Sequence, residues 1–357
     1  MTKNQERIAV IGAGMAGLAA ARALQEAGRS VTVWEQSATV GGRISTRAFT
    51  APNGARVLFD DGAQNVKSDG TALGEAVAPL QKKSRVVPIA APVCLHENGR
   101  ILPGDEASNA ARKWSCRDGL AQLPQSFAEQ LDVRLNASIS ALRENIHAID
   151  LLDANGDALD TASHVIVTAP APQAADLLDA SVWHGTESER AAPERIALLR
   201  GVEYSRCLSV LLFFAASCDD ASNDASWYAL LACDREHPLL WLARENLKGF
   251  VPHNKGTALV AQLGHAASTE LWDESDARIA AQTARWIAEI MGQDFASAEW
   301  SGVTRWPHSH PFNAIDFEAV NPVGARVLVC GDGTARGRVP DAYESGLKAA
   351  RRILSFT

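Results

Sequence analysis

Three glycines in the run Gly12-Ala-Gly14-Met-Ala-Gly17 follow the apolar stretch Arg7-Ile-Ala-Val-Ile and open a segment of helix-forming composition, Met15 to Ala27. This spacing suits a dinucleotide. Gly12 permits a tight turn out of a strand, Gly14 lets the backbone approach a pyrophosphate, and Gly17 lets the helix pack on the strand. The pyrophosphate then meets the unsatisfied amides of a helix N-terminus. Glu35 closes the next apolar run, where a carboxylate accepts hydrogen bonds from both ribose hydroxyls and disfavours a 2′-phosphate. Gly41-Gly42-Arg43, with Arg47 beyond it, offers two more amides and a guanidinium to a dianionic diphosphate. Near the other end, Gly331-Asp332-Gly333 follows the apolar Val327–Cys330 and precedes a helix opening near Pro340-Asp341.

A parallel sheet has to carry these motifs. Arg7–Gly12 reads as a short buried strand, Met15–Ala27 as a helix stopped by Gly28, and Ser30–Glu35 as a second strand. The result is a βαβ opening with a right-handed crossover. His164–Thr168 and Arg326–Cys330 read as further buried parallel strands, so both ends of the chain belong to one sheet. Other strands are expected at Arg43–Phe49, Arg56–Phe59, Arg85–Leu95, Val133–Leu135, Cys207–Ala215, Leu239–Ala243 and Leu259–Leu263, with a hairpin from Ile146 to Asp153 closed by Asn155-Gly156. Asp118–Leu131, Asp276–Met291 and Asp341–Leu354 read as helices. The second is amphipathic, with Ile279, Ala280, Thr283, Trp286, Ile287 and Ile290 on one face.

Composition removes several function classes. The 357 residues carry 34 Lys+Arg against 42 Asp+Glu, a net charge of −8 that argues against nucleic acid as a partner. The longest apolar run, Leu208–Ala216 with Ser209 inside it, is far short of the ~20 residues a membrane helix needs. The N-terminus lacks the apolar core of an export signal. The six cysteines (94, 116, 207, 218, 233 and 330) form no CxxC pair, which fits the cytoplasm. His308 and His310 alone are too few for zinc, so no metal is expected. No GxSxG elbow anchors a serine hydrolase. Nine tryptophans against three tyrosines offer flat walls for a planar ligand, or ordinary core filling.

The second glycine pair with its arginine and the Gly-Asp near the C-terminus resemble the flavin-containing amine oxidase superfamily. Asp60-Asp61-Gly62-Ala63-Gln64, the run Trp241–Asn246, the Arg305-Trp306 pair and the ending Cys330–Leu354 together resemble the bacterial renalases within it. The resemblance implies an α/β, amine-oxidase-like fold: a Rossmann-like FAD-binding domain (1–70, 115–170 and 318–357) with an inserted α+β substrate domain on a mixed sheet (71–114 and 171–317). It implies non-covalent FAD held by Gly12, Gly14, Met15, Ala16, Gly17, Glu35, Gln36, Gly42, Arg43, Gly62, Ala63, Gln64, Ile139, Gly331, Asp332 and Val339. It places Asn65, Trp241, Arg244, Gln262 and Trp306 on the substrate side. The implied reaction oxidises 2- or 6-dihydro isomers of NAD(P)H, with dioxygen taking the electrons to give hydrogen peroxide. Asn65, Gln262 and Ala267 depart from the renalase pattern. Two other readings stand beside this one: an amine oxidase or other CH–XH oxidoreductase acting on a small molecule, and a flavin-binding redox protein without turnover. Many amine oxidases carry a lysine on a substrate-domain strand, whereas Val202–Ala216 contains none.

Overall fold

The computed structural model describes residues 6–82, 85–184, 187–215, 227–234, 237–252 and 255–356. Cys218, the first five residues and the last position of the Leu208–Ala216 run lie outside the described residues. The chain forms two compact units, each assembled from separated stretches. The first comprises Met1–Gly42, Leu123–Tyr204 and His310–Thr357, and the second Arg43–Gln122 and Ser205–Ser309.

The first unit is built on a five-stranded sheet in the order Val327–Val329, His164–Val167, Arg7–Ile11, Ser30–Trp34, Asp132–Arg134, all parallel. The last strand of the chain therefore lies in the same sheet as the first, as the sequence predicts, and two places from it. Apolar residues run continuously along the central strands because both faces are covered. Ala9, Ile11, Val165, Val167, Val327 and Val329 meet Ala174, Leu178 and Leu199 in one buried cluster. The last three lie on helices Ala171–Asp179 and Glu187–Arg200, which the sequence reading did not anticipate. Helix Met15–Glu26 packs on the closing helix Val339–Leu354. A side chain at Gly346 would come within 2.0 Å of the Ala16 carbonyl, so glycine sets how closely the two helices approach.

The second unit centres on a mixed sheet of seven strands: Trp300–Pro311, Tyr204–Phe214, Thr257–Leu263, Leu239–Arg244, Ala229–Ala232, Val93–Glu97, Arg100–Leu102. Helix Asp276–Met291 has the expected limits and covers one face with Ile279, Ala280, Thr283, Ala284 and Ile287, while Trp286 and Ile290 are half-buried at its margin. The opposite face receives Ala51, Val57 and Phe59 from the hairpin of Thr46–Thr50 and Arg56–Asp60, against Leu211, Phe213, Ala258 and Val260.

These units divide the chain differently from the expected boundaries near 70, 115, 170 and 318. Residues 43–70 join the second unit because Arg43, Asp61 and Gly62 hydrogen-bond to its sheet strands, and residues 171–204 join the first because their helices fill its core. The helix expected over Asp118–Leu131 is shorter, Gln122–Ala128. Leu120 N–H donates to the Asp60 carboxylate, Ala121 N–H donates to Thr46 Oγ1, and Gly119 has φ +96°, so this backbone is committed elsewhere. Arg85–Leu95 is two strands, Val86–Ile89 and Val93–Glu97, pairing with different neighbours.

A fully buried charge cluster organises the second unit. Lys248 Nζ lies 3.0 Å from Asp60 Oδ2 and 2.8 Å from Glu245 Oε1, and none of the three side chains is exposed. Asp60 also accepts from Thr46 Oγ1 at 2.7 Å, Ser115 Oγ at 3.0 Å and Leu120 N–H at 2.8 Å, while its own N–H donates to Glu245 at 3.0 Å. Burial alone would depress the Lys248 amine, but the two carboxylates beside it reverse that and raise its pKa. One ammonium facing two carboxylates leaves a surplus negative charge in a dry site. Burial accordingly raises the Glu245 carboxyl to about 7, against the pull of Lys248.

Replacing Lys248 by Met should leave two buried carboxylates without a cation and cost about 3–5 kcal/mol in chemical denaturation. A second expectation concerns pH. Because the Glu245 pKa is raised on folding, the native state holds a proton that the unfolded chain has released. Stability therefore falls as pH rises from the ordinary glutamate value to about 7. In Glu245→Gln this component of the melting-temperature profile should vanish. A variant with the wild-type slope would show that Glu245 stays ionised.

Candidate functional site

In the first unit the glycine turn has the steric logic its sequence suggests, one glycine at a time. Gly12 has φ +104°, and a side chain there would sit 2.4 Å from Thr168 Oγ1. A side chain at Gly17 would come within 1.9 Å of the Gly12 carbonyl, so this glycine is required by the fold itself. Gly14 is different. A side chain there meets nothing within 4 Å, and its φ of −75° suits any residue. Gly14 is also the N-cap of helix Met15–Glu26 and brings no side-chain hydrogen bond to that end. The helix N-terminus therefore opens onto space next to a residue kept small for no internal reason.

Glu35 is 7% exposed, and its carboxylate accepts from Ala13 N–H and Ser37 N–H, both at 2.8 Å. It braces the glycine turn from below, a role the sequence reading missed, and a carboxylate has further lone pairs for ribose hydroxyls. Gly41 N–H donates to the Ala13 carbonyl at 2.9 Å, and Gly42 (φ +56°) would place a side chain 3.7 Å from Gly14 Cα. The second glycine pair thus folds over the first. Met15 and Ala16 are buried in the helix, Gln36 is exposed, and Ile139 joins the core cluster.

At the C-terminal end of the same unit, Gly331 (φ +119°) donates to Ser345 Oγ at 3.0 Å. Asp332, 4% exposed, accepts from Tyr204 Oη at 3.2 Å, and Tyr204 Oη accepts from Ala171 N–H at 3.3 Å. Tyr204 is a further positioning residue that no local motif reveals. Val339 opens the closing helix, whose N-terminus has no side-chain cap. Asp341 Oδ2 in its first turn is buried without a hydrogen-bond partner among the described residues.

The second unit carries the other expected residues. Gly62 is fixed by close approach: a side chain there would come within 2.0 Å of the Arg43 carbonyl, which accepts from Ala63 N–H at 2.9 Å. Arg43 itself donates to the carbonyls of His308 and Ser309 at 2.9 and 3.3 Å. Gln262 Nε2 donates to the Gly62 carbonyl at 2.7 Å, Trp306 Nε1 to the Asp61 carbonyl at 2.9 Å, and Tyr228 Oη to the Gln64 carbonyl at 2.8 Å. Asn65 follows, half-buried, with its side chain on Tyr228. Gln262 is the register partner of both Ser209 and Trp241, so the three form a row across neighbouring strands, on the sheet face away from helix Asp276–Met291.

Three buried polar atoms on or beside this row have no hydrogen-bond partner among the described residues: Ser209 Oγ, Trp241 Nε1 and Gln64 Oε1. Buried orphans are costly, about 1–3 kcal/mol each, so polar atoms of this kind are candidates for bonding to a ligand. Arg244 is less available than its sequence context suggests. It is 7% exposed, and its guanidinium lies 3.8 Å from the centre of the Trp227 ring. Arg305 is committed to Asp276 and to the carbonyls of Trp272 and Glu274. Ala267 is half-buried against the core under the helix-covered face. Cys330 is 2% exposed, and burial pushes its thiol up to about 12, well away from reactive thiolate.

Among the described residues no group of three or more metal-ligating side chains gathers, and no helix is long and apolar enough to cross a membrane. A family model described as flavin containing amine oxidoreductase matches residues 107–354, and one described as NAD(P)-binding Rossmann-like domain matches residues 10–78. The chain is 56% identical over 45 residues to an L-amino-acid oxidase of Crotalus adamanteus, a stretch covering 13% of this chain and 9% of that protein. It is 30% identical over 189 residues to lysine-specific histone demethylase 1 homolog 1 of Arabidopsis thaliana, covering 52% of this chain and 20% of that one. Cyclohexylamine oxidase from Brevibacterium oxydans shares the fold with a TM-score of 0.76 at 15% identity, over 99% of both chains.

The contrast between Gly14 and Gly17 gives a direct test. On flavin-stripped protein, Gly14→Ala should melt within about 0.5 kcal/mol of wild type yet retain little flavin on reconstitution, read from the visible flavin absorbance. Gly17→Ala should lose about 1–3 kcal/mol of stability or more through overlap with the Gly12 carbonyl.

Proposed function

The chain belongs to the flavin containing amine oxidoreductase family, and we propose that it works as an FAD-dependent oxidase of isomeric dihydronicotinamides. Its substrate would be a 2- or 6-dihydro form of NAD(P)H. Substrate, dioxygen and one proton would give the aromatic nicotinamide cation and hydrogen peroxide. The open helix N-terminus at Gly14, the glycine pair folded over it and the buried Glu35 carboxylate fit the pyrophosphate and ribose of FAD. Asp332 and the uncapped helix at Val339 fit its ribityl and pyrimidine portions. Bound there non-covalently, FAD supplies an N5 atom that accepts a hydride and a reduced ring that dioxygen reoxidises.

The observation that carries the substrate reading is the uncharged character of the Ser209–Gln262–Trp241 row. The orphaned atoms on it are one hydroxyl and one indole N–H, and the Gln64 amide oxygen is a third orphan on the neighbouring loop; together they complement a planar ring bearing a carboxamide, itself both donor and acceptor. Trp241 and Trp306 offer flat surfaces on which such a ring stacks. Hydride loss from a dihydropyridine leaves an aromatic cation and releases no separate proton, so positioning matters more than a base. Strand Tyr204–Phe214 has no lysine, and the buried Lys248 is held by Asp60 and Glu245. The five described cysteines are free, which supports a reducing, cytoplasmic setting.

Anaerobic stopped-flow mixing of the yellow protein with a substrate panel tests this. The 2- or 6-dihydro isomers should bleach the flavin rapidly, and air should then yield one peroxide per nicotinamide cation formed. If no dihydronicotinamide bleaches it while amines do, at a rate rising as the amine deprotonates, the enzyme is an amine oxidase instead.

A further inference from the structure

The second unit holds a cavity of about 430 Å³ that the flavin chemistry above does not use. It lies where strands Val86–Ile89 and Lys113–Cys116 pair, beside the short helix Glu106–Ala110. Its walls are mostly apolar, with Val86, Ile89 and Trp114 among them. Lys113 also lines it; the residue is 4% exposed, and its amine forms no ion pair with an acid among the described residues. The other charged groups of the wall neutralise each other: Arg112 takes Asp69 through Nε at 3.1 Å and through a terminal nitrogen at 2.9 Å. Asn109 is likewise committed, bonding both ways to the Val93 backbone at 2.8 and 2.9 Å.

A lysine ammonium that faces a mostly apolar hollow gives up part of its hydration, and an anion bound there would replace it. Burial alone lowers the Lys113 pKa, and no neighbouring acid opposes it. From the cavity, its apolar walls and the one uncompensated cation, we infer that this is a binding site for a small organic anion, a monocarboxylate with an apolar body. The carboxylate bonds to the Lys113 ammonium, and the body rests against Val86, Ile89 and Trp114. A cationic ligand gains nothing here, because the one acid in the wall is already paired with Arg112. The rear of the site is rigid: Trp114 exchanges backbone hydrogen bonds with Val66 at 2.9 and 3.1 Å, and its indole N–H donates to Ser68 Oγ at 3.2 Å.

Calorimetric titration of the FAD-loaded protein with hexanoate, hexanamide and hexylamine tests the assignment. Hexanoate should bind saturably, with the amide and the amine at least about tenfold weaker, as loss of one charge-assisted hydrogen bond implies. Lys113→Met should abolish the preference for hexanoate over hexanamide, and Lys113→Arg should restore most of it. Ala110→Phe places a ring at the exposed rim without touching Lys113, and should weaken all three ligands while the protein melts as wild type. Hexanoate binding that survives both Lys113→Met and Ala110→Phe would overturn the proposal, as would equal affinity for acid and amide. Flavin bleaching is not part of this readout, so the site can fail while the dihydronicotinamide reading stands, and the reverse.

Discussion

The buried triad of Asp60, Lys248 and Glu245 is the constraint on which the second unit turns. Three ionisable side chains with no exposure are tolerable only if every lone pair and proton is used, since each unpaired ion would cost several kcal/mol. Asp60 meets that demand by drawing in Thr46, Ser115 and Leu120 from three separate stretches of chain. The residues that follow it, Asp61 to Asn65, are consequently held in one place. Asp61 accepts from Ser45 and, at 2.7 Å, from Thr304, while Gln64 donates back to the Asp60 carbonyl. Lys248 lies 5.7 Å from the ring centre of Tyr228, whose hydroxyl donates to the Gln64 carbonyl. A charge cluster deep in the unit thereby sets the position of the Asp61–Asn65 loop.

The first unit solves its problem by backbone sterics. Gly12 and Gly17 are demanded by the packing of strand, turn and helix, whereas Gly14 is demanded by nothing inside the protein. A residue kept small without an internal reason is the mark of an external one. Glu35 holds the turn through its two backbone acceptances, from Ala13 N–H and Ser37 N–H. A braced turn is preorganised, so a dinucleotide need not order it on binding.

How much of this the sequence discloses depends on how far apart the partners lie. The glycine turn, the βαβ opening, the amphipathic Asp276–Met291 helix and the shared sheet of the two chain ends are all legible, because periodicity and short spacing encode them. Lys248 was invisible as a structural ion: its partner Asp60 is 188 residues away, and only Glu245 is near in sequence. Tyr204 beneath Asp332 and Gln262 on Gly62 are likewise long-range, and no local signal marks them. The helix expected from Asp118 fails at its start because tertiary hydrogen bonds claim the amides of Leu120 and Ala121. Arg244 misleads for the opposite reason. In sequence it is a cation awaiting a phosphate, and in the fold it stacks on Trp227.

The distribution of charge also bears on selectivity. The second unit keeps its strongest ions at zero exposure around Lys248, and leaves neutral orphans on and beside the Ser209–Gln262–Trp241 row. A protonated amine brought to that row would have to shed its hydration with no carboxylate to replace it, because Asp60 and Glu245 are committed to Lys248. The dihydropyridine proposed above as substrate is neutral and has no such hydration to lose, and its carboxamide would complement the Trp241 donor and the Gln64 acceptor. On that proposal, discrimination against an ammonium would need no repulsive charge. It would follow from engaging Asp60 and Glu245 with Lys248 at zero exposure, and the arrangement that stabilises the unit would then narrow what the row can bind.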